Sequence, residues 1–355
     1  MLKPFKNLYN CRFALNMDKL LVIQTAFTGD VVLATAILEK LRSYFPDAQL
    51  DLLIRKGNEN LLQNNPYLNN LIIWDKTTNK TKNLFNIISK IRHEKYSYVI
   101  NLHRYASSGM ICFLSGAKYI TGYDKNPFSF CFTKKVPHLF SAPGTEKPIL
   151  ETERYQMLIE DITDNKTLLP KLFPSQTDFE LTQKYKSGLP YICIAPASNW
   201  FTKQFPTQKW IDLLNELPKN YKIYILGGQV NSLLADTILK GTVGHEVENL
   251  CGKFTYLQSA ALMKDAAMNY VNDSAPLHFA SAMAAPVIAI YCSTAPYYGF
   301  GPLLESGRIV ETTEKLSCRP CGLHGHKSCP KGHFKCAYTI TNKQLLQWTT
   351  DLKTK

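Results

Sequence analysis

The chain has 355 residues, of which 45% are hydrophobic and 19% charged, and its formal net charge is +13 at pH 7. This composition is typical of a folded globular protein and excludes a disordered or collagen-like chain, and the length predicts two domains. Residues 1–150 contain 20 Lys and Arg against 10 Asp and Glu, whereas residues 151–355 contain 21 against 18. The excess positive charge of the N-terminal part predicts an anionic partner there: nucleic acid, an acidic lipid surface or a phosphorylated substrate.

The N-terminal part begins with residues 1–16, which lack the apolar core of a secretory signal and are interpreted as an extension. No apolar stretch is as long as a membrane span, so we expect a cytoplasmic protein. From residue 17 to residue 150, apolar runs alternate with helical periodicity, which predicts an α/β domain with a doubly wound, mostly parallel sheet. Its strands are predicted over 20–23, 50–54, 71–74, 98–102 and 119–120, and its helices over 31–44, 59–63, 83–93 and 106–114.

A stretch rich in Pro and Gly, residues 134–148, is typical of an interdomain linker. A second alternating series predicts another doubly wound domain over 151–340, followed by a C-terminal helix over 341–355. Two such domains create a cleft at the carboxyl ends of their strands, where open α/β sheets bind ligands. In the second domain, strands are predicted over 191–195, 222–226, 268–271 and 287–291, and helices over 152–161, 208–217, 230–239, 256–264 and 276–283.

The first strand-end motif is Thr25-Ala26-Phe27-Thr28-Gly29-Asp30. Gly29 permits a tight turn, and Asp30 is expected at the helix N-terminus, facing the cleft. Two interpretations stand: an Asp that caps the helix, or a general base that takes a proton from an attacking hydroxyl. The turn is not G-x-G-x-x-G, and no P-loop occurs, which removes the main support for a dehydrogenase or an NTPase.

Two further motifs follow strands of the second domain. In Ala195–Pro206, the side chains of Ser198 and Asn199 can bond phosphate oxygens, and Lys203 can supply a positive charge or be an ordinary solvated lysine. The glycine turn after the next strand is a weak signal by itself. It consists of Gly227, Gly228 and Gln229.

A fourth motif, Asn272-Asp273-Ser274-Ala275-Pro276-Leu277-His278, again lies between a strand and a helix. Pro276 near the first helical position and Ser274 near the cap leave backbone N–H groups for an anion. Asp273 and His278 add polar groups, although His278 is equally compatible with a core histidine. The three motifs of the second domain together predict a site for a nucleoside diphosphate.

The runs LLVIQTAFTGDVVLATAILEKL, APASNWFTKQFP, ILGGQ and NDSAPLHFASAMAAPVIAIY, in this order, resemble glycosyltransferase family 9, the ADP-heptose:lipopolysaccharide heptosyltransferases. The resemblance covers nearly everything from residue 17 onwards. It implies a GT-B fold, with two Rossmann-like domains facing across a cleft. It also implies an inverting, metal-independent transfer of heptose from ADP-heptose to the lipopolysaccharide inner core.

The resemblance assigns roles to residues of the motifs. Asp30 becomes the catalytic base, with Thr28 and Gly29 beside the acceptor, and Lys203 becomes the lysine that contacts the phosphates of the donor. The remaining donor-binding residues are Asp273, Ser274, Ala275 and His278, together with Ser198, Asn199, Gly227, Gly228 and Gln229. Ala275 replaces the usual glycine, which matters if its φ angle is positive.

Arg104, at the end of a predicted strand in the basic domain, is a candidate for binding an acidic acceptor through its guanidinium group. The alternative is an ordinary surface arginine. A lipopolysaccharide acceptor places the enzyme at the anionic inner leaflet of the inner membrane, as a peripheral protein.

Four cysteines within nineteen residues, Cys318, Cys321, Cys329 and Cys336, suffice for a tetrahedral structural zinc. Thiols or disulfides without a metal, and an iron–sulfur or redox role, are the alternatives. No cofactor is expected for catalysis.

Two other functions compete with the heptosyltransferase interpretation. One is a related GT-B enzyme with another nucleotide sugar or acceptor. The other is a nucleic-acid-binding Cys/His module, which predicts positive charge beside the cysteines. The excess charge lies in the other domain, so we expect no nucleic-acid partner.

Overall fold

The computed structural model describes residues 17–348; the predicted extension over 1–16 and residues 349–355 lie outside the described range. The chain divides into two compact units. The first unit contains the described residues up to Glu59, Asn65–Leu139 and Thr152–Pro170. The second unit contains Asn60–Asn64, Phe140–Glu151 and the described residues from Lys171 onwards.

The first unit is built on one parallel sheet of six strands. These are β1 (Lys19–Gln24), β2 (Gln49–Arg55), β3 (Asn70–Trp74), β4 (Tyr98–Asn101), β5 (Tyr119–Tyr123) and β6 (Lys134–Val136). Their order is β3-β2-β1-β4-β5-β6. The helices are α1 (Thr28–Tyr44), α2 (Lys80–Glu94), α3 (Ala106–Leu114) and α4 (Glu151–Ile159). The central strand β1 is covered on both faces, which explains its continuous apolar sequence.

The second unit repeats this plan. Its strands are β7 (Tyr191–Ala195), β8 (Lys222–Ile225), β9 (Val247–Asn249), β10 (Met268–Asn272), β11 (Val287–Tyr291) and β12 (Gly307–Glu311), all parallel, in the order β12-β11-β10-β7-β8-β9. The helices are α5 (Gln176–Gln183), α6 (Thr207–Glu216), α7 (Ser232–Gly241), α8 (Tyr256–Lys264), α9 (Ala275–Ala282), α10 (Lys335–Tyr338) and α11 (Asn342–Leu346).

Both sheets have the doubly wound strand order, so the predicted α/β class is confirmed. In each sheet the chain first adds strands on one side of its first strand and then crosses over to add the remaining strands on the other side. The crossover points lie between β1 and β4 and between β7 and β10. Ligands of such sheets bind at the carboxyl ends of the strands at this switch point. All the motifs singled out in the sequence, apart from the glycine turn after β8 and the cysteines, follow one of these four strands.

The boundary between the units differs from the predicted one at residue 150. The segment predicted as a linker begins with β6, which completes the first sheet, and α4 packs back onto the same unit. Gln24 Nε2 donates to the Tyr155 hydroxyl at 2.8 Å, and Thr121 Oγ1 donates to the Leu158 carbonyl at 3.1 Å. These buried hydrogen bonds keep Thr152–Pro170 with the first unit.

Of the C-terminal helix predicted over 341–355, the structure describes residues 341–348, within which α11 covers Asn342–Leu346, and the remaining residues lie outside the described range. Among residues 17–348, none of the helices combines the length and the apolarity that a bilayer crossing requires.

Candidate functional site

In the first unit, Asp30 lies in the first turn of α1 and is half-buried. The helix begins at Thr28 and its cap position is Phe27, which makes no side-chain cap hydrogen bond. The interpretation of Asp30 as the helix cap is therefore wrong, and Gly29 is a buried helical residue rather than part of a tight turn. Thr28 Oγ1 donates to Asn58 Oδ1 at 2.9 Å, which ties the start of α1 to the loop after β2.

The loop that leads to Asp30 is held from two sides at Thr25. The Thr25 N–H donates to His103 Nε2 at 3.0 Å. Lys76 Nζ donates to the Thr25 carbonyl and to its hydroxyl, both at 2.9 Å. His103 must therefore be a neutral acceptor at Nε2. Neither Lys76 nor His103 was predicted as a site residue, although both follow strands, as the predicted site residues do.

Burial and nearby positive charge lower the pKa values of both His103 and Lys76. Burial, then the charges of Lys76 and Arg104, lower the pKa of His103 to about 3. Burial, then the charges of Arg55 and Lys80, lower the pKa of Lys76 to about 8. Arg104 is half-buried and lies within electrostatic reach of His103. The carboxyl edge of the first sheet thus gathers cations from the loops after β2, β3 and β4, as an acidic ligand requires.

In the second unit, the central feature is the ion pair between Lys203 and Asp273. Lys203 Nζ lies 2.7 Å from Asp273 Oδ2, and the two side chains are 14% and 8% exposed. Asp273 Oδ2 also accepts from Thr294 Oγ1 at 2.6 Å. The structure therefore brings together two residues that the sequence placed in one site from separate motifs, and Lys203 is not a solvated loop lysine.

Asn272 fixes the loop that carries Lys203. This fully buried side chain donates from Nδ2 to the Pro196 carbonyl at 2.7 Å and accepts at Oδ1 from the Phe205 N–H at 3.0 Å. The loop is thereby held at both ends by the strand that precedes Asp273. Asn272 is part of the quoted motif, but only the structure shows that it positions the loop.

The other predicted donor residues occupy different surroundings. His278 is buried within α9, its Nδ1 has no hydrogen-bond partner among residues 17–348, and burial lowers its pKa to about 4 against the opposing charge of Asp273. Ser274 is the cap residue of α9, where its side chain makes no cap hydrogen bond. Ala275 does not have a positive φ, so replacement of the usual glycine causes no backbone strain there.

Ser198 and Asn199 lie on the same loop as Lys203, with Asn199 exposed. The glycine turn lies apart in the sequence, directly after β8. Its Gly228 N–H donates to Asn231 Oδ1 at 3.1 Å, and the Gly227 carbonyl accepts from the Gly252 N–H at 2.9 Å. The turn is exposed, and its role in donor binding stays a prediction.

The cysteine-rich loop packs against the Lys203 loop, which the sequence did not predict. Thr202 makes two hydrogen bonds to the backbone of His326: its N–H donates to the His326 carbonyl at 3.1 Å, and its hydroxyl accepts from the His326 N–H at 2.7 Å. The Cys321 N–H donates to the Ser293 carbonyl at 2.7 Å. Arg319 donates to the Cys292 and Thr294 carbonyls and to Glu311.

The four cysteines predicted as zinc ligands lie in different surroundings, and the zinc site stays a prediction. Among residues 17–348, no group of three or more His, Cys, Asp or Glu side chains is arranged to hold a metal ion. Cys336 is buried in the core of the second unit, and burial raises its thiol pKa to about 11. Cys318 Sγ lies 3.8 Å from His333 Nε2. Cys318, Cys321, Cys329 and Cys336 are all free thiols.

Comparison with known proteins gives consistent results. Residues 84–328 match the family model described as glycosyltransferase family 9 (heptosyltransferase). Lipopolysaccharide heptosyltransferase 3 of Escherichia coli is 25% identical over 279 residues, which cover 76% of this chain and 82% of that protein.

Two solved structures share the fold. A family 9 glycosyl transferase from Veillonella parvula superposes with a TM-score of 0.79 at 20% identity and covers 95% of this chain and 97% of its own. The E. coli ADP-heptose lipopolysaccharide heptosyltransferase II gives a TM-score of 0.74 at 19% identity and covers 94% and 98%. The predicted GT-B class is confirmed by these similarities.

Proposed function

Because this chain belongs to glycosyltransferase family 9 and is therefore a glycosyltransferase, we propose that it transfers heptose from ADP-heptose to the lipopolysaccharide inner core. The observation that carries this proposal is the Lys203–Asp273 pair at the switch point of the second sheet, next to the start of α9. The names of its relatives, a lipopolysaccharide heptosyltransferase and an ADP-heptose enzyme, support the choice of acceptor and donor.

The second unit would bind the donor. Lys203 supplies a fixed positive charge, and the first turn of α9 supplies backbone N–H groups that no side chain caps. Before the donor binds, the ion pair with Asp273 holds the Lys203 ammonium group in place. When the diphosphate leaves, its negative charge competes with Asp273 for this ammonium group. Thr294 then remains as a hydrogen-bond partner of Asp273.

The first unit would bind the acceptor and begin the reaction. In a single displacement, Asp30 takes the proton from the attacking hydroxyl, and the anomeric configuration of the sugar is inverted. Thr28, Gly29 and Arg104 lie beside the acceptor in this proposal. The cations around Thr25 favour an acceptor that carries carboxylates or phosphates.

We also propose that transfer needs no bound metal ion, because Lys203 and α9 supply the positive charge for the leaving group. EDTA treatment followed by gel filtration should leave turnover unchanged. Loss of turnover that added Mg²⁺ or Mn²⁺ restores would overturn this point. A structural zinc at the cysteines stays a separate prediction, and elemental analysis of the purified protein decides it.

The test of the proposed function is a donor screen. The purified protein is given ADP-, UDP- and GDP-sugars with a lipid-linked core acceptor, and the release of each nucleoside diphosphate is measured. Release of ADP from ADP-heptose that depends on the acceptor supports the proposal, and NMR of the product reads the anomeric configuration. Release from UDP- or GDP-sugars alone would instead identify a related GT-B enzyme with another donor.

A further inference from the structure

The first unit exposes a compact group of aromatic rings, Phe113, Phe128 and Phe130, which we call the phenylalanine patch. Phe113 lies on α3, and the other two lie in and beside the short 3-10 turn Ser129–Cys131. The three ring centroids are 5.7 to 6.0 Å apart in every pair. Phe113 is 50% exposed and Phe130 67%. Contiguous apolar surface of this kind on a folded protein commonly marks a contact surface.

The patch is rigidly mounted, so its exposure does not come from a loose loop. Asn126, which precedes the aromatic turn, is buried, and its Oδ1 accepts from the Phe128 N–H at 2.9 Å. A Cβ added at Gly109 of α3 would lie 2.8 Å from Phe128 Cβ. The glycine therefore lets the turn lie directly on α3.

The same support reaches the candidate acceptor residue. Asn126 Nδ2 donates to the carbonyls of His103 and Tyr105, each at 3.1 Å. These are the neighbours of Arg104 on either side in the chain. The phenylalanine patch and Arg104 are thus fixed to one another through a single buried side chain.

Three lysines lie in the chain segments next to the rings: Lys118 follows α3, Lys125 precedes the aromatic turn and Lys135 follows it. Lys118, Lys125 and Lys135 are exposed, and the positive charge of Lys135 acts on the thiol of Cys131, in the same turn as Phe130. Lys125 has Asp124 at 4.0 Å as its acidic neighbour. An apolar surface with a basic rim matches the chemistry of an anionic bilayer, in which acyl chains take up the rings and headgroups attract the lysines.

We propose that the phenylalanine patch, with Lys118, Lys125 and Lys135, docks the first unit on an anionic phospholipid bilayer. Docking there presents the segment that carries Arg104 to the membrane surface. The link to a lipid-linked acceptor rests on the proposed function, whereas the docking itself does not.

The experiment is co-sedimentation of the full chain with vesicles of phosphatidylcholine, with or without 30% phosphatidylglycerol. We expect binding to the anionic vesicles, and a loss of tenfold or more in partitioning for the double variant Phe113→Ser with Phe130→Ser. The triple variant Lys118→Gln, Lys125→Gln and Lys135→Gln should lose the preference for phosphatidylglycerol. Phe85→Ser, at a phenylalanine of α2 that is 54% exposed, is the matched control and should bind like the unmodified protein.

Thermal unfolding and turnover on a delipidated, soluble core acceptor complete the test. Both should be unchanged in the serine variants, and Phe130→Ser alone replaces the double variant if that one unfolds. The proposal is overturned if the unmodified protein does not bind the vesicles, or if the serine variants bind as well as Phe85→Ser. It is also overturned if the serine substitutions change the oligomeric mass of the protein in solution, because the patch would then be a self-association surface. Vesicle binding without activity on any heptose donor would overturn the proposed function and leave the docking surface in place.

Discussion

The two units share one strand order but place opposite electrostatic arrangements at the same edge. In the second unit, the cation of Lys203 meets a buried carboxylate, Asp273, at 2.7 Å. In the first unit, the cation of Lys76 meets the carbonyl and hydroxyl oxygens of Thr25, with further cations nearby. The second unit therefore pairs its lysine with a carboxylate, whereas the first unit holds its lysine on uncharged oxygens.

This difference shows that the doubly wound topology fixes where a ligand binds, and that the side chains at the strand ends decide which ligand it is. A paired lysine suits a small, soluble nucleotide sugar that arrives and leaves. A field of several cations suits a large anionic acceptor, because each charge can meet a different carboxylate or phosphate.

The largest expected effect on turnover comes from a substitution in the first unit, Asp30→Ala. Asp30→Ala should lower kcat by about 10³-fold or more, because a positioned general base contributes about 10²- to 10⁴-fold. Donor affinity, measured by calorimetry with ADP, should be unchanged. Asp47→Asn, at an exposed carboxylate before the amino end of β2, is the matched control. Full turnover in Asp30→Ala would remove the residue from the mechanism.

The corresponding change in the second unit is Lys203→Met. It should lower kcat by about 10²- to 10³-fold and weaken donor binding, because a charge that stabilises the leaving group is lost. It should also destabilise the protein by about 3 kcal/mol, since the Asp273 carboxylate remains buried without its cation.

Adding Asp273→Asn to Lys203→Met separates these two effects. The amide removes the stranded charge and keeps an oxygen for the Thr294 hydroxyl, so most of the stability should return while turnover stays low. Recovery of turnover together with stability would show that Lys203 has a structural role only.

Acid should destabilise both units, and the first one more. Burial lowers the pKa values of His103 and His138 in the first unit to about 3, and that of His278 in the second to about 4. The unfolded chain protonates these imidazoles near pH 6.5, so it binds more protons than the folded state between about pH 4 and 6.5. Stability therefore falls as the pH falls through this window.

Each of the two buried histidines, His103 and His278, should cost roughly 1–2 kcal/mol on acidification from pH 6.5 to pH 5. His103→Gln keeps a hydrogen-bond acceptor for the Thr25 N–H but does not titrate, and His278→Gln is its counterpart in the second unit. Hydrogen exchange followed separately for the two units measures the difference. Equal pH dependence in the wild type and His103→Gln would contradict a neutral, buried His103.

Much of the fold could be predicted because inner strands such as β1, β7 and β11 are buried on both faces and consist mainly of apolar residues. The strands that the sequence did not reveal, β6, β9 and β12, lie at sheet edges. Edge strands are short and charged, as in Lys134–Val136, which protects them from pairing with other chains and removes the apolar signal.

Two residues predicted from separate motifs, Lys203 and Asp273, form one ion pair in the structure, whereas the role of Asp30 stays a prediction. Residues that act on backbone groups were missed: Asn272 holds the Lys203 loop through a carbonyl and an N–H. The contact between Thr202 and His326 likewise uses the backbone groups of His326, and residues 124 positions apart leave no local pattern. The cysteine spacing suggested a metal, whereas the structure shows the loop around the cysteines in contact with the Lys203 loop.

The smallest predicted effect tests whether the cysteine-rich loop supports the Lys203 loop of the second unit. Gly325 has a φ of +73°, and an added Cβ would lie 2.7 Å from Thr202 Oγ1 and 3.3 Å from Lys203 Cγ. Gly325→Ala should therefore push the cysteine-rich loop away from the Lys203 loop and weaken ADP binding about 3- to 10-fold. Gly332→Ala is the matched control, because Gly332 has a φ of +71° and nothing within 4 Å, so it brings the same backbone strain without the contact. Calorimetry with ADP compares the two. If both variants bind ADP equally well, the cysteine-rich loop does not support ADP binding. If only Gly325→Ala binds weakly, the second unit depends on a backbone support, whereas the Thr25 loop of the first unit is held by the side chains of His103 and Lys76.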